Sequence, residues 1–266
     1  MWLKRFLPKW ETVENVVRIE GPMGLVNGAL SLGSTLMFLA LQRIPRQKVQ
    51  NGSKGFDLNL NVAAGIEFQR PGWLAVDKYY QGESGVRLDL LEGEGLLGRF
   101  EKGSVDAIYM AHALEHFTYA EGAKILLQFH QLLRPGGVLR LVLPDVLLAS
   151  AMLAFGPHSW WKYNQSTGNA RNQLFDHRDP VEVHSRFLGF IGVPLSDVRP
   201  EDRKNEAVAR GCHFSAYTWP LLRRALMNAG FSAEKMYPCR YGETKFAVMQ
   251  GMDDREMSSL HAEAVR

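Results

Sequence analysis

Ser104-Val-Asp-Ala-Ile-Tyr-Met-Ala-His-Ala-Leu-Glu-His116 and Leu132-Leu-Arg-Pro-Gly-Gly-Val-Leu-Arg-Leu-Val-Leu-Pro-Asp145 are the two stretches on which the fold is read. Each holds an apolar run of strand length, over residues 105–110 and 138–143, that ends in polar residues. Between them, residues 119–133 place Ala123, Leu126, Leu127, Phe129, His130 and Leu133 near helical spacing. Pro135-Gly136-Gly137 stops that helix, because proline cannot continue the hydrogen-bond ladder and glycine permits a sharp turn. Strand, helix and strand in succession predict a parallel pair joined by a helical crossover.

Working outward, residues 57–62, 73–77 and 85–90 are three earlier strand candidates. Residues 146–155 and 218–229 are predicted helices, and residues 231–239 and 259–265 are predicted terminal strands. Strands alternating with helices imply an α/β class: a doubly wound, mostly parallel, Rossmann-like sheet with helices on both faces. Gln47-Lys-Val-Gln-Asn-Gly-Ser-Lys-Gly55 is a polar linker, so the chain divides into an N-terminal helical segment, 1–50, and a main domain, 51–266. Residues 156–212 have no clean period and are read as an insertion after the fifth strand.

Composition limits the function. The chain carries 31 basic and 28 acidic residues, for a net charge of +3, and they are interspersed. No basic stripe marks a nucleic-acid partner. Its two cysteines, Cys212 and Cys239, form no CxxC pair, and a cytoplasmic location is expected; spacing alone leaves a bridge between them open. Residues 21–42 have no charge, yet include Asn27 and four glycines at 21, 24, 28 and 33. Ahead of them lie Trp2, Lys4, Arg5, Phe6, Lys9 and Trp10, an interfacial composition. Packing on a protein, attachment at the inner face of the membrane and a full span all stay open for residues 1–45.

Doubly wound sheets bind ligands outside the carboxyl ends of their strands. The residues placed there are Asn61, Ala63 and Gly65 after the first strand, Asp77 after the second and Asp89 after the third. Ala111, His112, Glu115 and His116 follow the fourth. A carboxylate such as Asp77 can accept both hydroxyls of a ribose. Histidine titrates near neutral pH, so His116 first, then His112, with Glu115 and His213, are candidates for removing a proton. Trp160, Trp161, Tyr163, His177 and His184 of the insertion suit an amphipathic acceptor such as a sugar. Asp176, His177, Asp179, His184 and His213 are metal-type side chains, but among these five no spacing such as HxxxH occurs, and no metal is expected.

Phe56-Asp-Leu-Asn-Leu-Asn61 followed by Arg70-Pro-Gly-Trp-Leu-Ala-Val-Asp77, the Leu-Glu-His at 114–116, the Arg-Pro-Gly-Gly at 134–137 and His213-Phe-Ser-Ala-Tyr-Thr-Trp219 resemble the small bacterial class I S-adenosylmethionine-dependent methyltransferases. The resemblance runs from residue 56 to 266, apart from the insertion. It implies S-adenosylmethionine as cofactor, with Asp77 on the ribose, Asp89 near the adenine and Ala111-His112 flanking it. It further implies O-methylation of a small-molecule or glycan acceptor. The family's Gly-x-Gly appears here as Asn61-Val62-Ala63, with a glycine only at Gly65. That departure motivates the alternative, a non-catalytic binding or scaffold subunit.

Overall fold

A computed structural model describes residues 58–66, 68–83, 85–154, 187–188, 213–253 and 259–266. The segment 1–50 and nearly all of the insertion therefore lie outside the described residues.

Seven strands form one sheet: β1 Asn59–Val62, β2 Leu74–Asp77, β3 Gly85–Arg87, β4 Val105–Ala111, β5 Leu133–Pro144, β6 Met236–Cys239 and β7 Ser259–Val265, in the order β3-β2-β1-β4-β5-β7-β6. β1 pairs in parallel with both β2 and β4, Leu60 lying opposite Leu74 on one side and Ile108 on the other. β2–β3 and β4–β5 are also parallel. β7 runs antiparallel to β5 and β6. The chain passes from β3 at the edge back to β4 beside β1. The strand order thus reverses between β1 and β4, where such sheets open a ligand crevice.

The helices are α1 Tyr119–Leu132, α2 Val146–Ala154 and α3 Trp219–Asn228. Thr118 and Glu121 begin α1 as a capping box: Thr118 N–H donates to Glu121 Oε2 at 2.8 Å, and Glu121 N–H to Thr118 Oγ1 at 3.3 Å. α1 and α3 cover one sheet face, burying Leu126, Phe129, Leu222 and Leu226 with Leu60, Ile108 and Leu141. On the other face, among the described residues, Ala107, Tyr109, Val138 and Val142 pack with Met249 and Met252, beside a 3-10 turn at Ala247–Met249. Contacts divide the chain into one compact unit of Gln47–Leu147 and His184–Arg266, which holds the sheet, α1 and α3, and another of Met1–Arg46 and Leu148–Val183.

Element ends differ from the sequence reading in three places. β3 stops at Arg87, because Leu88 N–H turns to Asp77 O at 3.1 Å and Asp89 Oδ1 accepts from Leu91 N–H at 3.0 Å. β5 begins at Leu133, before the Pro-Gly-Gly turn: Leu133 pairs with Val105, residues 134–137 bulge out, and Val138 resumes opposite Ala107. A Cβ on Gly137 would lie 3.0 Å from Arg134 O and 3.1 Å from Asp106 O, so the bulge accommodates only glycine comfortably. β6 begins at Met236, because Phe231 N–H still donates to Leu226 O of α3 at 3.1 Å.

Candidate active site

β1 ends in a tight loop at the crevice. Asn61 and Val62 are strand residues, Asn61 being buried, so the turn itself starts at Ala63. Ala63 has φ +55°, a left-handed conformation, and its N–H donates to Val76 O at 2.7 Å. Gly65 has φ +84°, with open space where a Cβ would stand. Asp77 holds this loop. Its Oδ2 accepts from Gly65 N–H at 2.9 Å and its Oδ1 from Tyr79 N–H at 2.7 Å. Each carboxylate oxygen keeps a second lone pair. Asp89 pairs with Lys78 at 2.9 Å; burial pushes its carboxyl up, but Leu91 N–H and Lys78 outweigh this and hold it below the usual range.

β4 ends at Ala111. His112 follows with φ +48°, fixed by its N–H donating to Val142 O at 2.8 Å. Its Nε2 lies 2.8 Å from Ser259 Oγ of β7, and its Nδ1 lies 3.5 Å from Glu115 Oε1. Leu114–His116 is a 3-10 turn. It leaves Glu115 2% exposed, with His116 half-buried.

His213 arrives from beyond the insertion. Phe214 N–H and Ser215 N–H both donate to the Glu115 carbonyl, at 2.7 and 3.2 Å. The His213 and His116 rings meet edge-to-face with centroids 5.0 Å apart. The fold thus assembles His112, Glu115, His116 and His213 beside the β1 loop. Burial pushes the Glu115 carboxyl up, but His112 and the imidazoles of His116 and His213 outweigh it and hold it below the usual range. Ser259, which orients His112, was not foreseen: a serine at the start of a terminal strand carries no signal of its partner. Trp160, Trp161, Tyr163, Asp176, His177, Asp179, His184 and Cys212 lie outside the described residues.

Residues 64–141, from the loop through β5, match the methyltransferase domain family. The chain thus carries a methyltransferase domain over these residues. No curated protein matches it. Among solved structures, an S-adenosylmethionine-dependent methyltransferase from Mesorhizobium loti is 14% identical, covering 79% of this chain and 90% of its own, with a TM-score of 0.40. Another from Archaeoglobus fulgidus is 11% identical, covering 97% of this chain and 100% of its own, with a TM-score of 0.41. Neither likeness bears on what the chain does; the domain match does, and with it the enzyme reading stands over the non-catalytic one.

The residues present fit the cofactor. The loop's backbone is open at Gly65, Asp77 is anchored with lone pairs to spare, and His112 follows the end of the neighbouring β4. In the methyltransferase, Ala63-Ala64-Gly65 would cradle the methionine part and Asp77 the ribose. Asp89, beyond the end of β3, would lie near the adenine.

Proposed function

We propose that this methyltransferase O-methylates a hydroxyl of a small polar acceptor, a saccharide being the class that suits it best. The observation that carries this reading is Glu115: a buried carboxylate ringed by His112, His116 and His213 at the end of β4. When bound, S-adenosylmethionine supplies a methyl group activated by its positive sulfur. The chain must then align the acceptor, exclude water and dispose of a hydroxyl proton. Alignment is worth up to roughly 7–11 kcal/mol in ideal cases, and a positioned base about 10²–10⁴ in rate. Of this cluster, His116 is the first candidate to take that proton and His112 the second. The new bond forms between acceptor oxygen and methyl carbon as the carbon–sulfur bond breaks, with its electron pair leaving on sulfur. Trp160, Trp161 and Tyr163 are of the residue types that sugars stack on.

The test is transfer of labelled methyl groups to a panel of sugars, sugar nucleotides, phenols and amines. Hydroxyl acceptors should be labelled, with kcat reduced at least 100-fold in His116→Ala. Labelling confined to amines would overturn the reading.

We also propose a cytoplasmic enzyme held at the inner face of the membrane through residues 1–45. The support is compositional: the aromatic and basic residues at 2–10 and the uncharged stretch at 21–42.

A further inference from the structure

Glu115 poses a problem that methyl transfer alone does not solve. It is 2% exposed, and neither of its carboxylate oxygens has a hydrogen-bond partner among the described residues. Buried carboxylates are ordinarily satisfied by donors, because desolvating a charge without replacing its hydration is unfavourable. The nearest candidate, His112 Nδ1, stays 3.5 Å from Oε1, and its Nε2 is engaged by Ser259. The lone pairs of Glu115 are therefore available, and they face two half-buried imidazoles. One ligand atom each from Glu115, His116 and His213 lies within 4.8 Å of the others.

We propose that Glu115, His116 and His213 hold a divalent transition-metal ion of the zinc, cobalt or manganese kind. Two imidazoles and one carboxylate are borderline donors, which suit these ions better than magnesium or calcium. Bonds of about 2.0–2.2 Å place ligand atoms about 3–3.5 Å apart, so small rotations of the two imidazoles close the set around an ion. The backbone is already built for it, since the Glu115 carbonyl accepts from Phe214 and Ser215 and fixes the segment carrying His213. His112, held by Ser259, then becomes the outer partner that orients the carboxylate. The third ligand, His213, comes from beyond the insertion, so no local spacing marks the full set in sequence. Three protein ligands leave a coordination position open. Resting on the hydroxyl-acceptor reading, that position takes the acceptor oxygen and lowers the pKa of its proton, which leaves to water, and His116 then serves as a ligand and not as the base.

The test uses the untagged full-length chain, stripped with chelator and titrated with Co²⁺, read by its visible absorption and by bound metal per chain. The expected result is one Co²⁺ per chain at micromolar concentration, displaced by Zn²⁺. Affinity should fall at least 30-fold in His213→Ala and in His116→Ala. Glu115→Gln should bind weakly, and because it changes a buried residue, circular dichroism and S-adenosylhomocysteine titration check that each variant is folded. No Co²⁺ bound by the folded wild type, or equal binding by wild type and the histidine variants, would overturn the site. Methyl transfer is scored separately on metal-free and metal-loaded enzyme. Hydroxyl methylation by an enzyme that binds no Co²⁺ removes the metal and leaves the acceptor reading. Co²⁺ binding without hydroxyl methylation removes the acceptor reading and leaves the metal.

Discussion

Gly65 N–H donates to Asp77 Oδ2 at 2.9 Å, tying the loop after β1 to the carboxyl end of β2. The same carboxylate accepts Tyr79 N–H, so Asp77 shapes the loop as well as facing the crevice. Asp77→Ala removes both acceptors and the carboxylate that would hold the ribose. Hydrogen bonds to charged groups contribute about 1.5–3 kcal/mol each, and about 1.4 kcal/mol is tenfold in affinity. S-adenosylhomocysteine binding should weaken roughly 10–100-fold by calorimetry. Asp77→Asn should fall between the two, since its amide still accepts at one position. Unchanged affinity in Asp77→Ala would refute this assignment.

Ala63 adopts φ +55°, which an L-residue other than glycine adopts at about 1–2 kcal/mol. Ala63→Gly relieves that strain, against a gain of unfolded-state freedom of about 0.4–1 kcal/mol. The net effect is a stabilisation of up to about 1.5 kcal/mol, with Tm rising about 2–4 °C for each kcal/mol in a chain of this size. Ala63→Val, β-branched at the same φ, should lower Tm by more than Ala63→Gly raises it. A lower Tm for Ala63→Gly than for wild type contradicts the strain argument.

These loops mark where sequence reading works. The end of β4 was legible because an apolar run of period-appropriate length terminates at His112-Ala-Leu-Glu-His116, and any doubly wound sheet puts such a terminus at its ligand crevice. His213 could be suspected but not placed: the bonds from Phe214 and Ser215 to the Glu115 carbonyl are backbone contacts, which side-chain identity does not encode. Asn61 was read as the first loop residue because the family's glycine stands there, yet pairing with Ala75 and Tyr109 keeps it in β1. The left-handed φ at His112 left no trace either, since it arises where its N–H is captured by Val142 O.

Arg140 is a second feature hidden from sequence, a charge in the middle of a strand that reads as apolar. Its Nε and Nη2 donate to Asp253 at 2.8 and 2.5 Å, and its Nη1 donates to Glu263 Oε1 at 2.7 Å, with all three side chains at 2% exposure or less. Desolvation would lower the guanidinium pKa, but Asp253 and Glu263 outweigh it and raise it. Asp253→Ala leaves the buried cation half-paired and should destabilise by about 3–5 kcal/mol in urea unfolding. A loss below about 1 kcal/mol would show that water reaches Arg140.

His261 gives the sheet a pH dependence. It is 2% exposed, with Asp253 Oδ2 at 3.8 Å, the Tyr241 ring at 6.0 Å, Arg140 and His112 in its electrostatic surroundings, and Cys239 and Val142 opposite it in the sheet. Burial lowers its pKa to about 4, against the upward pull of Asp253. The unfolded chain, with an ordinary histidine near 6.5, therefore binds more protons between pH 6.5 and 4, and stability falls as pH drops through that window. The loss is about 3 kcal/mol and levels off below the folded pKa. His261→Gln should flatten this part of the stability curve; parallel curves for the two proteins would exclude His261 as its source.

The proposed attachment at the membrane makes a prediction that depends on sequence alone. Lys4, Arg5 and Lys9 alternate with Trp2, Phe6 and Trp10. Aromatic rings favour the headgroup region and the cations favour anionic lipid, each cation contributing about 1 kcal/mol near the surface. The full chain should sediment with vesicles containing phosphatidylserine, and a chain lacking residues 1–45 should stay in the supernatant. Raising salt screens the cations and leaves the aromatic contribution, so binding should weaken with salt without vanishing. Equal sedimentation of both chains would place any membrane affinity elsewhere. Binding to neutral vesicles as strong as to anionic ones would assign it to the uncharged stretch at 21–42 instead of the basic segment before it.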